Sequence, residues 1–375
     1  MTFTMLRRAN LANHRAALPT LLFISIFASC RPPEKPVTKQ EALAFAKKIE
    51  VAAIEHNQNF LDNVIDQKYF AIVVLRESHQ LFNPGLSKQA KTVIEELHVG
   101  QQIVSTTQKI GMFKLLRQYE KDSHQHLLFR YFADDADLNY YDFELTGGDQ
   151  GVKADDLYVY SSGEELSDKI TGSLLESGKD KSDEDKQNDR LIADANQYLK
   201  GGNPDEAYSY YDQLPDKLKK EKTQQKLHIE IANKLGDSDY RAAVNEYKSI
   251  YPDDPYIYIT ILRQGYKHLG DTAALDALNR FETFLPSDPF LDFYRGVIYQ
   301  HLNNPAESRL AFYRFHSRWP LFGPVVGQLI TNQMQAGHPD SAALLVTEAQ
   351  RLNNITPEQL AAIKKAFPTM RPYLK

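Results

Sequence analysis

The C-terminal half of this 375-residue chain repeats itself with a period of 34 residues. Glycine or asparagine recurs at intervals of 34, 34, 33 and 34 residues, at Gly202, Gly236, Gly270, Asn303 and Gly337. Two further rows keep the same period: the prolines Pro252, Pro286 and Pro320, and the apolar residues Tyr210, Val244, Leu278, Phe312 and Val346. Such a chain must stack one unit on the next, because a single unit cannot bury its apolar face alone.

Each period contains two predicted helices. Apolar residues recur at helical spacing over paired segments of about 13 residues. The pairs predict four to five repeats between residues 191 and 356. A helix start at Thr356-Pro357-Glu358-Gln359 then predicts a capping helix and tail over residues 357–375, which would cover the open end of the array.

This period resembles the tetratricopeptide repeat. In the repeat Pro289–Phe322, the family's small, aromatic, aromatic and proline positions hold Gly296, Tyr299, Phe312 and Pro320. Matching residues in two other repeats are Ala274, Leu278 and Pro286, and Ala342, Val346 and Ala349. The repeat Glu221–Asp254 departs from the pattern, with His228 and Tyr240 at small positions. The resemblance implies an all-α superhelix whose concave face binds an extended peptide or a partner helix.

The family's geometry also implies which residues would face a partner. They are Tyr256, Arg263, Tyr266, Lys267, Phe290 and Phe293. For Phe290 and Phe293, packing between repeats is an equally good interpretation. The lysine, asparagine and arginine clamp with which some family members hold chaperone C-termini is not matched, so that class of partner is not expected.

The preceding segment, residues 39–175, has a mixed pattern that predicts an α+β domain. Helical spacing predicts helices over Lys39–Ile54, 59–66 and 87–108. Short apolar runs over 113–119, 127–132, 140–145 and 157–160 predict an antiparallel meander with one face against the helices. Ser162 and Glu165 are spaced as a capping box for a helix that runs towards Leu175. This order of elements resembles the cystatin-like and nuclear-transport-factor-like cone folds.

The segment between these two parts is polar. Residues 176–190 hold no large apolar side chain, so they form either a charged linker or the polar start of the next helix. The predicted fold class is therefore an α+β N-terminal domain followed by an all-α tetratricopeptide-repeat superhelix.

The N-terminus predicts export. Arg7, Arg8 and Arg15 precede a short apolar stretch over 18–27, as in a signal peptide of residues 1–29. Ala28-Ser29-Cys30 resembles the lipobox of bacterial lipoproteins, which implies an acylated Cys30, a tether over residues 30–38 and a membrane-anchored protein of the cell envelope. The alternative is an ordinary signal peptide with Cys30 as a free thiol.

Composition and the absence of known motifs argue against several classes of function. A formal net charge of -5 provides no basic field for phosphate backbones, so no nucleic acid is expected. The sequence lacks the metalloprotease, nucleophile-elbow, Walker and dinucleotide motifs, and we expect no catalytic site, metal or cofactor. His124 and His126 are interpreted as two surface histidines.

Two functions remain in view. The first is a lipid-anchored scaffold that binds another protein through the repeats. The alternative is a lipid-anchored enzyme or small-ligand binder that uses a pocket in the N-terminal domain. A deep pocket with converging Asp, His or Tyr side chains would favour the second function.

Overall fold

The structure, a computed structural model, describes residues 35–107, 112–132, 138–148, 151–176, 182–285, 288–320, 322–352 and 354–374. The predicted signal peptide and Cys30 fall outside these residues, as do the tether residues up to 34. The described part begins with five helices, which are α1 (Lys39–Ile54), α2 (Gln58–Asp62), α3 (Gln67–Glu77), α4 (Pro84–Glu96) and α5 (Val99–Thr107).

The N-terminal helices follow the predictions in part. The bounds of α1 are those that the periodicity predicts, and Thr38 and Glu41 cap its start reciprocally. The prediction over 59–66 corresponds to α2, and that over 87–108 to α4 and α5. Helix α3 has no counterpart in the sequence analysis, because its continuous apolar run fits a buried strand as well as a buried helix. The carboxylate of Asp66 caps α3 by accepting from the backbone N of Lys68 and Tyr69, at 2.9 and 3.0 Å.

The predicted antiparallel meander is confirmed. Its strands are β1 (Met112–Lys121), β2 (His124–Phe132), β3 (Leu138–Gly148), β4 (Gly151–Val159) and the short β5 (Glu164–Glu165), in the order β1-β2-β3-β4-β5. Asp122 and Ser123 both have positive φ angles, 49° and 68°, so they form the tight turn that matches the twist of the β1–β2 hairpin.

The helix after the sheet, α6 (Leu166–Glu176), does not begin as predicted. The Ser162 hydroxyl donates to the carbonyl of Val159, and Glu165 lies in β5, so the predicted capping box does not form. Instead the buried Asp156 carboxylate of β4 accepts from the backbone N of Ser167 at 3.1 Å and from its hydroxyl. The cap is therefore supplied by a neighbouring strand, which local spacing cannot reveal.

Five helix pairs follow. Their helices are α7 (Asp183–Lys200) and α8 (Pro204–Asp212), the short α9 (Asp216–Lys219), α10 (Lys222–Leu235) and α11 (Asp237–Ile250), α12 (Pro255–Thr260), α13 (Tyr266–Leu269) and α14 (Asp271–Glu282), α15 (Pro289–His301) and α16 (Pro305–Arg318), and α17 (Gly323–Gln335) and α18 (Pro339–Arg351). Helix α19 (Pro357–Ala366) and a 3₁₀ helix (Pro368–Tyr373) end the described chain. The α+β class with helical repeats is confirmed.

The periodic residues have the expected structural roles. Each of the five predicted turn residues has a positive φ angle: Gly202, Gly236, Gly270, Asn303 and Gly337. The helices of a pair also cross closely at the predicted small position. A Cβ atom at Gly296 would lie 2.5 Å from the ring of Phe312, so only glycine fits there.

The polar segment before the repeats is partly helical. Helix α7 begins at Asp183, where Ser182 and Asp185 form a capping box. The second half of the segment is thus the polar start of a helix, whereas residues 177–181 lie outside the described part. The predicted domain boundaries themselves stay a prediction.

One repeat contains an extra residue in its first helix. Asp254 and Gly270, the N-cap and turn positions, lie 16 residues apart, whereas the equivalent pairs Asp288 to Asn303 and Phe322 to Gly337 span 15. A π-helical turn over Ile261–Gly265 separates α12 from α13 and accommodates the insertion. The repeat thereby keeps its N-cap and its turn in register with the other repeats.

Both faces of the sheet are covered, whereas the sequence pattern predicts packing against helices on only one face. Phe129 and Phe143 pack on one face against α1–α6. Leu128 and Tyr140 lie on the other face, in one apolar cluster with the repeat residue Phe281. The sheet is therefore the layer that joins the N-terminal helices to the repeats.

The buried periodic positions should hold the repeats together. Truncation of Leu278 or Phe312 to Ala should lower the free energy of unfolding by about 2–5 kcal/mol, because each side chain is fully buried and leaves a cavity. Urea unfolding of both variants measures this. Leu310→Ala, on the same helix as Phe312 but 50% exposed, is the control and should cost far less. Equal losses at Leu310 and Phe312 would contradict the assigned core.

Candidate functional site

The loops between repeats present two equivalent aspartates to the sheet. Asp254 and Asp288 lie one period apart and are the N-caps of α12 and α15. Their carboxylates accept from the backbone N of Tyr256 at 3.0 Å and of Phe290 at 3.1 Å. Both aspartates are buried, so each needs further donors to be stable as an anion.

The sheet supplies those donors. The hydroxyl of Tyr158 donates to Asp254 at 2.6 Å, and the hydroxyl of Tyr140 donates to Asp288 at 2.8 Å. From the repeats, the Tyr247 hydroxyl and the Lys222 ammonium also reach Asp254, at 2.7 and 2.6 Å. Burial and the adjacent carboxylates raise the pKa of Tyr140 and Tyr158 well above the usual tyrosine value, so both hydroxyls stay protonated and can donate.

Arg130 on β2 completes this interface. Its buried guanidinium pairs with Asp288 and lies 4.8 Å from the ring centre of Phe290 and 4.7 Å from that of Trp319. An ion pair removed from water is stable only when its remaining groups are also satisfied. Here the tyrosine and the helix cap satisfy Asp288, and the two rings cover the guanidinium, although its buried Nε has no hydrogen-bond partner among the described residues. Together these contacts fix the register of the sheet on the loops.

A cavity of about 640 Å³ lies beside the paired aspartates. Two neighbouring cross-strand rows of the sheet contribute to its floor. The lining residues of these rows are Arg117, Asp142, Tyr158 and Glu165, and next to them Tyr119, His126, Glu144 and Asp156. The repeats supply the opposite wall with the loop at residues 250–255 and with Thr283 and Phe284. We refer to this cavity as the cleft.

An aspartate, a histidine and a tyrosine converge on the cleft floor. This convergence is the feature expected of the alternative function, an enzyme or small-ligand binder, although the cleft lies between the sheet and the repeats and not within the N-terminal domain alone. Asp142 accepts from the Tyr119 hydroxyl and lies 3.3 Å from Nδ1 of His126, whose ring stacks on Tyr119 at 5.0 Å. His126 is only 7% exposed, so the interpretation of two surface histidines is wrong for it. The alternation of β2 turns both His126 and His124 towards the repeats, and His124 lies 3.1 Å from Glu144.

One corner of the cleft is acidic. Burial, followed by the charges of Asp156, Asp168 and Glu144, raises the pKa of Glu165 to about 7. Burial likewise raises the pKa of Asp156 to about 6, although its hydrogen bonds to Ser167 and Leu157 oppose the shift. At Glu165 the charge of Lys121 opposes the rise in pKa but is the smallest of these influences, so this corner favours a positive or hydrogen-bond-donating group.

The predicted partner-binding residues do not form one surface. Tyr256 is 5% exposed and Phe290 is 1% exposed, because the sheet covers the first turns of α12 and α15. Phe293 is half-buried among three rings of its own repeat, Phe312, Phe315 and Phe322. The rings that Phe290 and Phe293 contact belong to the sheet and to their own repeat, and Tyr256 is buried as well. Arg263 and Lys267 are exposed, and the side chain of Tyr266 lies outside the described residues.

Several polar residues of the first helices were not predicted from the sequence. Gln264 is exposed, and Asn233 of the preceding first helix donates to its side chain at 3.3 Å. Two repeats further on, the Gln300 amide donates to Gln328 at 2.8 Å. Glu230 is also exposed and lies one period before Gln264. Such residues could have been found by following polar positions at the 34-residue spacing, as at Glu230 and Gln264, in addition to apolar ones.

Two further features concern metals and membranes. Among the described residues, no group of three or more His, Cys, Asp and Glu side chains is arranged to hold a metal ion. Within the same ranges, no helix combines the length and the apolar content needed to cross a membrane.

The buried and the exposed ion pair should differ in how much each contributes to the free energy of unfolding. Arg130→Met should lower the free energy of unfolding by about 3–5 kcal/mol, because it leaves the Asp288 carboxylate buried without its cation. Adding Asp288→Asn should recover part of that loss in the double variant. The control is Arg280→Met, which breaks the exposed pair with Asp253 and should cost at most about 1 kcal/mol. Urea unfolding of the four proteins tests this, and equal costs for Arg130 and Arg280 would refute the assigned role.

Comparisons with known proteins add the following. No protein-family model matches this sequence, and no curated protein matches it. Among solved structures, the MamA protein is similar at 14% identity and a TM-score of 0.36, over 44% of this chain and 91% of that one. PilW, a widely conserved type IV pilus biogenesis factor, is similar at 15% identity and a TM-score of 0.34, over 50% and 88%. MamA from Desulfovibrio magneticus RS-1 is similar at 18% identity and a TM-score of 0.35, over 44% and 95%.

Proposed function

We propose that this protein is a lipid-anchored scaffold of the bacterial cell envelope, which binds another protein or a peptide on the concave face formed by the first helices of its repeats. The main support is the position of the sheet. It docks on the loops between repeats, and the first helices keep Arg263, Gln264 and Lys267 exposed. A stacked array offers a long continuous surface of this kind, which suits an extended partner.

The π-helical turn supports the same face. It lies in the first helix of the third pair and carries Arg263 and Gln264. Such turns are frequent at functional sites, because the extra residue re-aims side chains at some cost in helix geometry. The position of this insertion beside exposed polar side chains supports a role in partner recognition.

The charge of this face indicates the chemistry of the partner. Lys234, Arg263 and Lys267 are exposed on the first helices, with Glu230 as an exposed acid. This local excess of positive charge contrasts with the net charge of -5 for the whole chain. A partner segment that carries carboxylates would complement it and would be steered towards it.

The anchor would join the sheet side of the molecule. Backbone N of Lys35, the first described residue, donates to the carbonyl of Gly147 on β3 at 3.3 Å. A lipid on Cys30 would therefore hold the α+β part by a short proline-rich tether, and the repeats would remain available to a partner.

Charge reversal tests the groove. Arg263→Glu combined with Lys267→Glu should weaken binding of a partner captured from solubilised membranes, and the loss should be larger at low salt. The melting temperature should hardly change, because both residues are exposed. Lys217→Glu combined with Lys220→Glu on the exposed loop side is the matched control and should bind normally. Unchanged affinity and salt dependence in the first double variant would show that the partner site lies elsewhere.

Removal of the acylation site tests the anchor. Cys30→Ala should abolish lipid attachment and move the protein from the detergent phase to the aqueous phase in phase partitioning. Mass spectrometry of the N-terminal peptide of the wild type should show the lipid. Unchanged partitioning of the variant together with an unlipidated wild-type peptide would exclude the anchor.

A further inference from the structure

Arg117 lines the cleft with a guanidinium that has no acceptor. Among the described residues it donates no hydrogen bond, and its buried Nε has no partner. Its contact is with the ring of Tyr119, 4.1 Å below the guanidinium carbon. Since a guanidinium carries five N–H donors in a planar fork, this side chain retains the capacity to hold a carboxylate.

Glu165 lines the opposite side of the cleft, and its carboxyl group could accept hydrogen bonds from a ligand. Within the described ranges, its carboxyl group takes part in no hydrogen bond and no ion pair. The neighbouring charges come from Asp156, Asp168 and Glu144, with Lys121 as the opposing cation. A bound ammonium group would reduce the repulsion among these carboxylates.

The sheet sets the separation of the two groups. Arg117 and Glu165 are the two ends of one cross-strand row, through Leu128, Asp142 and Tyr158. Four strand spacings place their backbones about 19 Å apart, and the two side chains shorten the gap between the charges by several ångströms. An extended peptide spans at most about 3.3–3.6 Å per residue, so three to four residues would bridge the gap.

The remaining lining suits such a chain. Tyr158, Tyr160, Tyr251 and Phe284 present aromatic surface between the two charged ends. Tyr251 and Phe284 belong to the repeats and the other two to the sheet, so the cleft exists only when the two are docked. Its volume of about 640 Å³ lies within the range typical of small-ligand sites.

We propose that the cleft binds a zwitterionic ligand of tripeptide to tetrapeptide length, with its carboxylate on the Arg117 guanidinium and its ammonium on the Glu165 carboxylate. This site is separate from the face of the first helices and does not depend on partner binding there. The two charges come either from the termini of a free short peptide or from side chains of a bound protein segment. Arg117 and Glu165 would bind the charged groups in either case.

Calorimetry on the whole protein tests the charge requirement. Trialanine should bind, whereas N-acetyl-trialanine, which lacks the ammonium, and trialanine amide, which lacks the carboxylate, should each bind about tenfold more weakly or worse. Free alanine, which is too short, should not bind. Stronger binding of a doubly blocked Lys-Ala-Glu peptide than of trialanine would assign the charges to side chains, and the reverse order to peptide termini. Absence of binding by both peptides at millimolar concentration overturns the proposal.

Two variants test which residue binds the carboxylate of the ligand and which binds its ammonium group. Arg117→Gln should weaken trialanine binding at least about tenfold and remove the preference for trialanine over its amide. Glu165→Gln should remove the preference for trialanine over its acetylated form. Lys114→Gln on β1, whose side chain pairs with Glu50, and Glu120→Gln, exposed on the same strand, are charge-matched controls and should retain binding. If both preferences persist in folded Arg117→Gln and Glu165→Gln proteins, as judged by melting temperature, the assignment is wrong.

Discussion

The docked arrangement depends on the two buried aspartates Asp254 and Asp288. Each is held at once by a helix start and by a tyrosine of the sheet, and Arg130 adds a cation to the second. A carboxylate in a protein interior is stable only when several donors surround it, so neither the loops nor the sheet can move apart without exposing or orphaning a charge. Because the aspartates are one repeat apart, the sheet contacts equivalent positions of two successive repeats.

This docking mode separates two surfaces with different capacities. The sheet covers the loops and buries Tyr256 and Phe290, while the face of the first helices remains exposed at Arg263 and Lys267. The same contact forms the cleft, whose floor belongs to the sheet and whose far wall belongs to the repeats.

Two charged side chains of the cleft lie beyond the aromatic interface between the sheet and the repeats. The Tyr140 hydroxyl and Nη1 of Arg130 bond to Asp288, although the buried Nε of Arg130 has no hydrogen-bond partner among the described residues. Arg117 and Glu165 lie at the two edges of the sheet beyond that contact, where no side chain of the repeats completes their hydrogen bonding among the described residues. Burial without compensation costs stability, which is the reason for proposing a binding role for these two groups.

The sequence by itself determined the features that are local or periodic. Helix α1, the meander, the helix pairs, their positive-φ turns and the buried Leu278 and Phe312 follow from spacing, because burying one face of a repeated unit imposes that spacing. Only the tertiary structure decided that Phe290 is covered, that Asp156 caps α6 and that Arg117 shares a cleft with Glu165. These outcomes depend on which distant surfaces meet, and the free energy of that contact comes from side chains that no local period relates.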